Sequence, residues 1–169
     1  TTPYTYLWSD GQTTVTATGL ADGTYTATVT DDNGCTTSST TTVGEPAVLQ
    51  LSTPVVTNVS CNGGSDGAIT TETTGGTGPY NYNWSGSQPA DNVEDALDIP
   101  AGTYSVTVID ANGCTDVISG IVVTEPSAVT VSIGNVNNAD CLGNETGSAT
   151  ATGMGGTGAI TYAWSNGDA

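Results

Sequence analysis

The chain has 169 residues, 17 of them acidic and none of them Lys, Arg or His, so its formal net charge is -17. With no basic patch, nucleic acid and anionic membrane surfaces repel it. Most acid–base, nucleophilic and phosphate chemistry is closed to it, and no apolar run approaches the ~20 residues that a membrane-spanning helix needs. The charge is spread thinly, because only 10% of residues are charged and Thr, Ser, Gly and Asn supply most of the polarity. An acidic disordered tail would lack Trp, Tyr and regularly spaced Val and Ile, which recur here on a fixed beat.

Read in chain order, the elements repeat. Pro3-Tyr4-Thr5-Tyr6-Leu7-Trp8-Ser9 opens the chain mid-pattern, as expected of a window cut from a longer protein. Gly23-Thr24-Tyr25 begins a second strand, Asn33-Gly34-Cys35 follows in a turn, and Glu45-Pro46 closes the segment. After Cys61 and Gly63 the same landmarks return: Pro79 to Ser85 with Trp84, Gly102-Thr103-Tyr104, Asn112-Gly113-Cys114 and Glu125-Pro126. A third round starts with Cys141 and Gly143 and reaches Ala159 to Ser165 with Trp164. The offsets are 76 to 80 residues, so the architecture is a tandem repeat. Residues 1–46 are expected to be the C-terminal part of a preceding repeat, 47–126 a complete repeat, and 127–169 the N-terminal part of a following one. Proline at each junction cannot extend a ladder and stiffens the link.

Within the complete repeat, Tyr104, Val106 and Val108 alternate with Thr103, Ser105 and Thr107, the period-two pattern of a half-buried strand. Tyr80, Tyr82 and Trp84 alternate with Asn81 and Asn83 in the same way. Gly75 to Pro79 is a loop, Asp110-Ala111-Asn112-Gly113 a hairpin turn, and Val117 to Thr124 the last strand. The expected fold is all-β, with tandem immunoglobulin-like β-sandwich repeats of ~80 residues. Trp8, Trp84, Trp164, Tyr25 and Tyr104 are the expected structural core, with Tyr104 placed at a strand entry as in a tyrosine corner. Exposed, the same rings would instead make a sugar-stacking platform.

Together these motifs resemble the SprB-type repeat: Cys61-Asn62-Gly63-Gly64-Ser65-Asp66-Gly67, Gly75-Gly76-Thr77-Gly78-Pro79-Tyr80, Trp84-Ser85, Gly102-Thr103-Tyr104 and Asp110-Ala111-Asn112-Gly113-Cys114. The third round departs from it at Leu142-Gly143-Asn144-Glu145 and at Ala159-Ile160. The resemblance implies very large surface adhesins of gliding Bacteroidetes exported by the type IX route, and hence an extracellular location on the bacterial cell surface. The expected function is a structural or adhesive stalk or filament segment. A self-assembling filament subunit and a glycan-binding module are the alternatives. Its partners would be neighbouring repeats of the same chain, other copies in a filament, or surface glycans.

Two constellations could carry more than structure. Four cysteines, two per period, read as disulfides in a secreted β-protein. Cys61 with Cys114 would bridge each repeat internally, leaving Cys35 and Cys141 to partners outside the window. Cys35 with Cys61 and Cys114 with Cys141 would staple neighbours instead. The internal bridge requires Cα atoms within ~7 Å, although the first turn and last hairpin of a sandwich lie at opposite ends. Asp91, Glu94, Asp95 and Asp98 form the densest acidic cluster, spaced to share one face of a short helical turn with Val93, Ala96 and Leu97 inward. They are candidate calcium ligands, the only cofactor considered, with Asp66 and Asp110 second. The competing reading is a solvated acidic face. Asn58-Val59-Ser60, Asn83-Trp84-Ser85 and Asn144-Glu145-Thr146 match the glycan acceptor pattern, which is common by chance in so Asn- and Thr-rich a chain. No catalytic residue is expected, since a carboxylate pair for glycoside hydrolysis shows no sign of converging.

Overall fold

The computed structural model describes residues 3–86, 92–143 and 145–165. It is all-β, with no helix among the described residues and antiparallel pairing throughout. The chain divides into two compact units, Thr1–Ala47 and Val48–Ala169.

The first unit is a three-stranded sheet in the order β1 (Thr5–Trp8), β2 (Gly23–Thr30), β3 (Thr36–Val43). Thr and Val dominate β2 and β3, as suits a pleated surface. The β2–β3 hairpin turns on Asp31, whose Oδ1 accepts the amides of Asn33 (3.0 Å) and Cys35 (2.8 Å). Gly34 supplies the positive φ of 83° that this turn requires. None of this unit's described residues is buried, because one sheet has no second layer to close on.

In the second unit two layers meet. One sheet runs β8 (Asn81–Ser85), β10 (Gly102–Ile109), β11 (Thr115–Val123). The other runs β5 (Val55–Thr57), β6 (Gly67–Thr70), β9 (Ala96–Ile99), while β4 (Gln50–Leu51) and β7 (Thr73–Thr74) form a separate short pair. Alternation sends Tyr104, Val106 and Val108 of β10 and Tyr82 and Trp84 of β8 inward, where they meet Ile69, Ile99, Ile121 and Val123. Among the described residues every buried hydrophobic one lies between Leu49 and Val123, so this β-sandwich core closes within one repeat. Two bulges shape the layers. In β11, Gly120 (φ 74°) is the extra residue where the register with β10 shifts at Tyr104/Ser105. In β9, Asp98 (φ 55°) lies where the register with β6 shifts.

Beyond Pro126 the chain forms a hairpin of β12 (Thr130–Asn137) and β13 (Ser148–Met154). It occupies the sequence positions of β4 to β7 one period later, and its inward residues stay uncovered. Val129, Val131, Ile133, Ile160, Tyr162 and Trp164 line an open apolar groove.

Candidate functional site

The rings expected in the core fall into different environments. Trp84 (6% exposed) and Tyr104 (1%) are buried. Trp84 Nε1 donates to the Val93 carbonyl at 2.9 Å. Trp8 and Tyr25 are half-buried in a unit of one sheet, and Trp164 is 36% exposed in the open groove of the uncovered β12–β13 hairpin. The local bonding is nonetheless shared. Tyr162 Oη accepts the Gly153 amide at 2.9 Å, and one period earlier Tyr82 Oη is paired with Thr73 Oγ1 at 2.8 Å.

The acidic cluster does not form the expected helical turn. Residues from Ala96 onward make strand β9, so Ala96 and Ile99 face inward while Leu97 is 59% and Val93 39% exposed. Glu94 and Asp95 cap the neighbouring edge instead. Glu94 Oε1 accepts the Thr73 amide (2.7 Å), and Asp95 Oδ1 accepts the Thr71 amide (3.1 Å). Asp98 points from the bulge, and Asp91 lies outside the described residues. Among the described residues no three carboxylates or thiols gather as a metal site.

The second-choice carboxylates also serve turns. Asp66 Oδ1 accepts the Ser60 amide at 3.0 Å, and its bonds to Ser60 hold this carboxyl below the usual range. Asp110 is only 4% exposed. Its Oδ1 accepts the amides of Asn112 (2.9 Å) and Cys114 (2.8 Å), and its Oδ2 that of Thr77 (2.9 Å). Desolvation pushes this carboxyl up, but the three amides outweigh it and hold it below the usual range.

The expected Cys61–Cys114 bridge is not formed, and Cys35, Cys61, Cys114 and Cys141 are all free and exposed. The reason is distance along β11. Cys114 immediately precedes that nine-residue strand. The Cys61 turn is tied to the chain just past its other end, through Glu125 and Pro126. Nine residues of strand span about 30 Å, far beyond the ~7 Å a disulfide tolerates.

That tie is the feature the sequence reading missed. Asn62 Nδ2 donates to Glu125 Oε1 (3.0 Å) and to the Pro126 carbonyl (3.1 Å), while the Gly63 amide donates to Glu125 Oε2 at 2.6 Å. Gly63 holds φ at 74°, which brings its amide to the carboxylate. Asn58 Oδ1 accepts the Thr124 amide alongside, at 2.9 Å. The recurrence of Glu-Pro and of Cys-x-Gly is the signal that the sequence carries for it. The junction therefore has a built geometry: the exit of β11, the first turn of the same repeat, and the entry of the next.

A sandwich that closes on itself and hands its chain to the next through such a clamp defines a tandem β-repeat protein. Two segments are similar to a known repeat: residues 53–89 and 133–169 each match the SprB repeat family model, starting 80 residues apart. SprB repeats occur in cell-surface proteins. No curated protein and no solved structure matches the chain.

Proposed function

We propose that the chain is a load-bearing stalk segment of a secreted bacterial surface protein, non-enzymatic, and serving adhesion or gliding by holding other parts away from the cell. The observation that carries this reading is that the complete repeat takes in its chain at one end and releases it at the other. At the entry, Leu49 packs against Gly76 beside the Asp110 hairpin, and the Leu51 amide donates to Asp116 Oδ2 at 2.8 Å. The exit is Glu125–Pro126, at the far end of β11. Tension between neighbours then runs along the strands, and the β10–β11 ladder, paired from Gly102↔Val123 to Ile109↔Thr115, resists in shear with many hydrogen bonds at once. The missing Lys and Arg remove every trypsin site from an exposed filament.

Electron microscopy of the purified surface protein tests the reading. Stiff rods with an axial period of at least about 30 Å per repeat, the length of β11, are expected. A compact particle, or beads on a freely bending string, would overturn it.

A further inference from the structure

Cys61 is more than an unpaired thiol in a turn. With Asn62, Ser127, Gly156 and Thr157 it lines one groove across the repeat boundary. The Asn62–Glu125 clamp fixes its position there. The other wall belongs to the next repeat, whose Gly155-Gly156-Thr157-Gly158 loop has the sequence of Gly75-Gly76-Thr77-Gly78. The two loops are also built alike. A Cβ on Gly156 would meet Val129 at 2.7 Å, and one on Gly76 would meet Leu49, the residue 80 positions before Val129, at 2.9 Å.

In the middle repeat this loop is the seat of the second hairpin. The Thr77 amide donates to Asp110 Oδ2 (2.9 Å), the Ala111 amide to the Thr77 carbonyl (2.9 Å), and Asn112 Nδ2 to Thr77 Oγ1 (3.1 Å). Cys114 is held in the same hairpin by its amide bond to Asp110 Oδ1. A following repeat that seats its hairpin in this way sets that hairpin's cysteine on the Gly156–Thr157 loop, at the rim of the groove that holds Cys61.

We propose that Cys61 is one half of a disulfide across the repeat boundary, whose other half is the Cys114 equivalent of the following repeat. Each of the four cysteines in this chain then serves a different boundary, and none has its partner among the other three. The inference rests on the tandem arrangement and not on the mechanical role. Formation is a thiol–disulfide exchange with an extracytoplasmic protein disulfide or a low-molecular-weight one as oxidant. One cysteine thiolate attacks the oxidant's disulfide and expels one of its sulfurs as thiolate. The second cysteine thiolate then displaces the other. The two protein thiols give up two protons and two electrons, and the oxidant leaves as two thiols.

The test continues the chain after Ser165 with a copy of residues 86–126, which gives the third repeat its hairpin and a fifth cysteine. After oxidation with oxidised glutathione, the chain is digested unreduced by a protease specific for acidic residues and mapped. The expected result is a peptide joining Cys61 to the added cysteine, with three thiols still open to alkylation, and four in the Cys61→Ser variant. A Cys61–Cys114 peptide would overturn the proposal. So would an alkylatable Cys61 in a chain whose buried-Trp fluorescence shows it folded. If the extended chain does not fold, the same mapping on the full-length surface protein decides: turn-to-hairpin links between successive repeats support the proposal, and links within a repeat or free thiols refute it.

Discussion

The hydroxyl of Tyr104 donates to the carbonyl of Pro100, four residues upstream, at 2.7 Å. The same bond recurs in the first unit, where Tyr25 reaches the Ala21 carbonyl at 3.2 Å. Both fix the approach of the chain to the long central strand of their sheet. Removing the Tyr104 hydroxyl leaves the ring's burial unchanged and the carbonyl without its donor. Tyr104→Phe is therefore expected to destabilise the complete repeat by about 1 kcal/mol, the usual net value of such a bond. Tyr25→Phe, at an exposed and longer bond, should change stability by less than half of that. Urea titration of both variants measures the difference.

Trp84 carries a larger share, because it is buried in the core and its ring nitrogen is bonded. Trp84→Ala is expected to cost about 3–5 kcal/mol, the range for truncating a large buried aromatic. Denaturant melts followed by circular dichroism check it. A variant of near-native stability that had lost carbohydrate binding would instead point to a ligand platform at this strand.

How much of this was legible in the sequence differs by element. The alternation around Tyr104 and Trp84 reports burial directly, because in a strand each side chain's face follows from its position. The region from Asp91 to Asp98 misled for the opposite reason. Acids spaced three and four apart fit a helical face, yet two of them bond strand-edge amides that come from Thr71 and Thr73, more than 20 residues away in sequence. The clamp between Asn62 and Glu125 joins residues 63 apart. No local pattern encodes it, and Asn62 itself gives way to Leu142 one period later, so only Gly63 and Glu125 leave a trace in the repeat. The internal Cys61–Cys114 pairing runs against the sandwich geometry, which places the first turn and the last hairpin at opposite ends of β11.

Gly67 tests how closely the two sheets approach. A Cβ there would meet the Ile99 carbonyl oxygen at 2.7 Å on its own sheet and Val123 Cγ1 at 2.9 Å on the facing one. Neither the backbone carbonyl nor the buried Val123 has room to yield. Gly67→Ala is expected to destabilise by about 1–3 kcal/mol, as overpacking does. Gly113→Ala meets nothing within 4 Å, so it should suffer only the strain of its positive φ (84°). Comparing the two by thermal melting separates crowding from backbone strain.

The pH dependence follows from Asp110. Its carboxyl is held below the usual range in the folded chain, so the folded state favours the ionised form. Such a group's contribution is fully present above the unfolded value near ~3.9 and is lost as pH falls through the lower folded value. Asp110→Asn replaces one acceptor oxygen by a donor facing the turn amides. Its melting temperature should lie below that of the native chain at pH 7, with the gap closing as the pH is taken below about 4. A gap that stayed constant down to pH 2 would show that the ionised carboxylate has no special part in the hairpin.

Divalent cations should act on this chain only through screening. The formal charge of -17 has no internal compensation, so acidic side chains on neighbouring repeats repel one another. Repulsion between exposed groups falls off over ~8 Å at physiological ionic strength, and any salt relieves it. A specific calcium effect needs several oxygens converging on one point. Glu94, Asp95, Asp66 and Asp110 instead direct their oxygens at separate backbone amides, and among the described residues no set of three comes together. Calcium chloride and sodium chloride at matched ionic strength are therefore expected to raise the melting temperature equally. Chelator should leave the fold intact, because the core from Leu49 to Val123 closes on hydrophobic side chains alone. A gain found only with calcium and abolished by Asp95→Asn would show that a bound ion competes successfully with the Thr71 amide for that carboxylate.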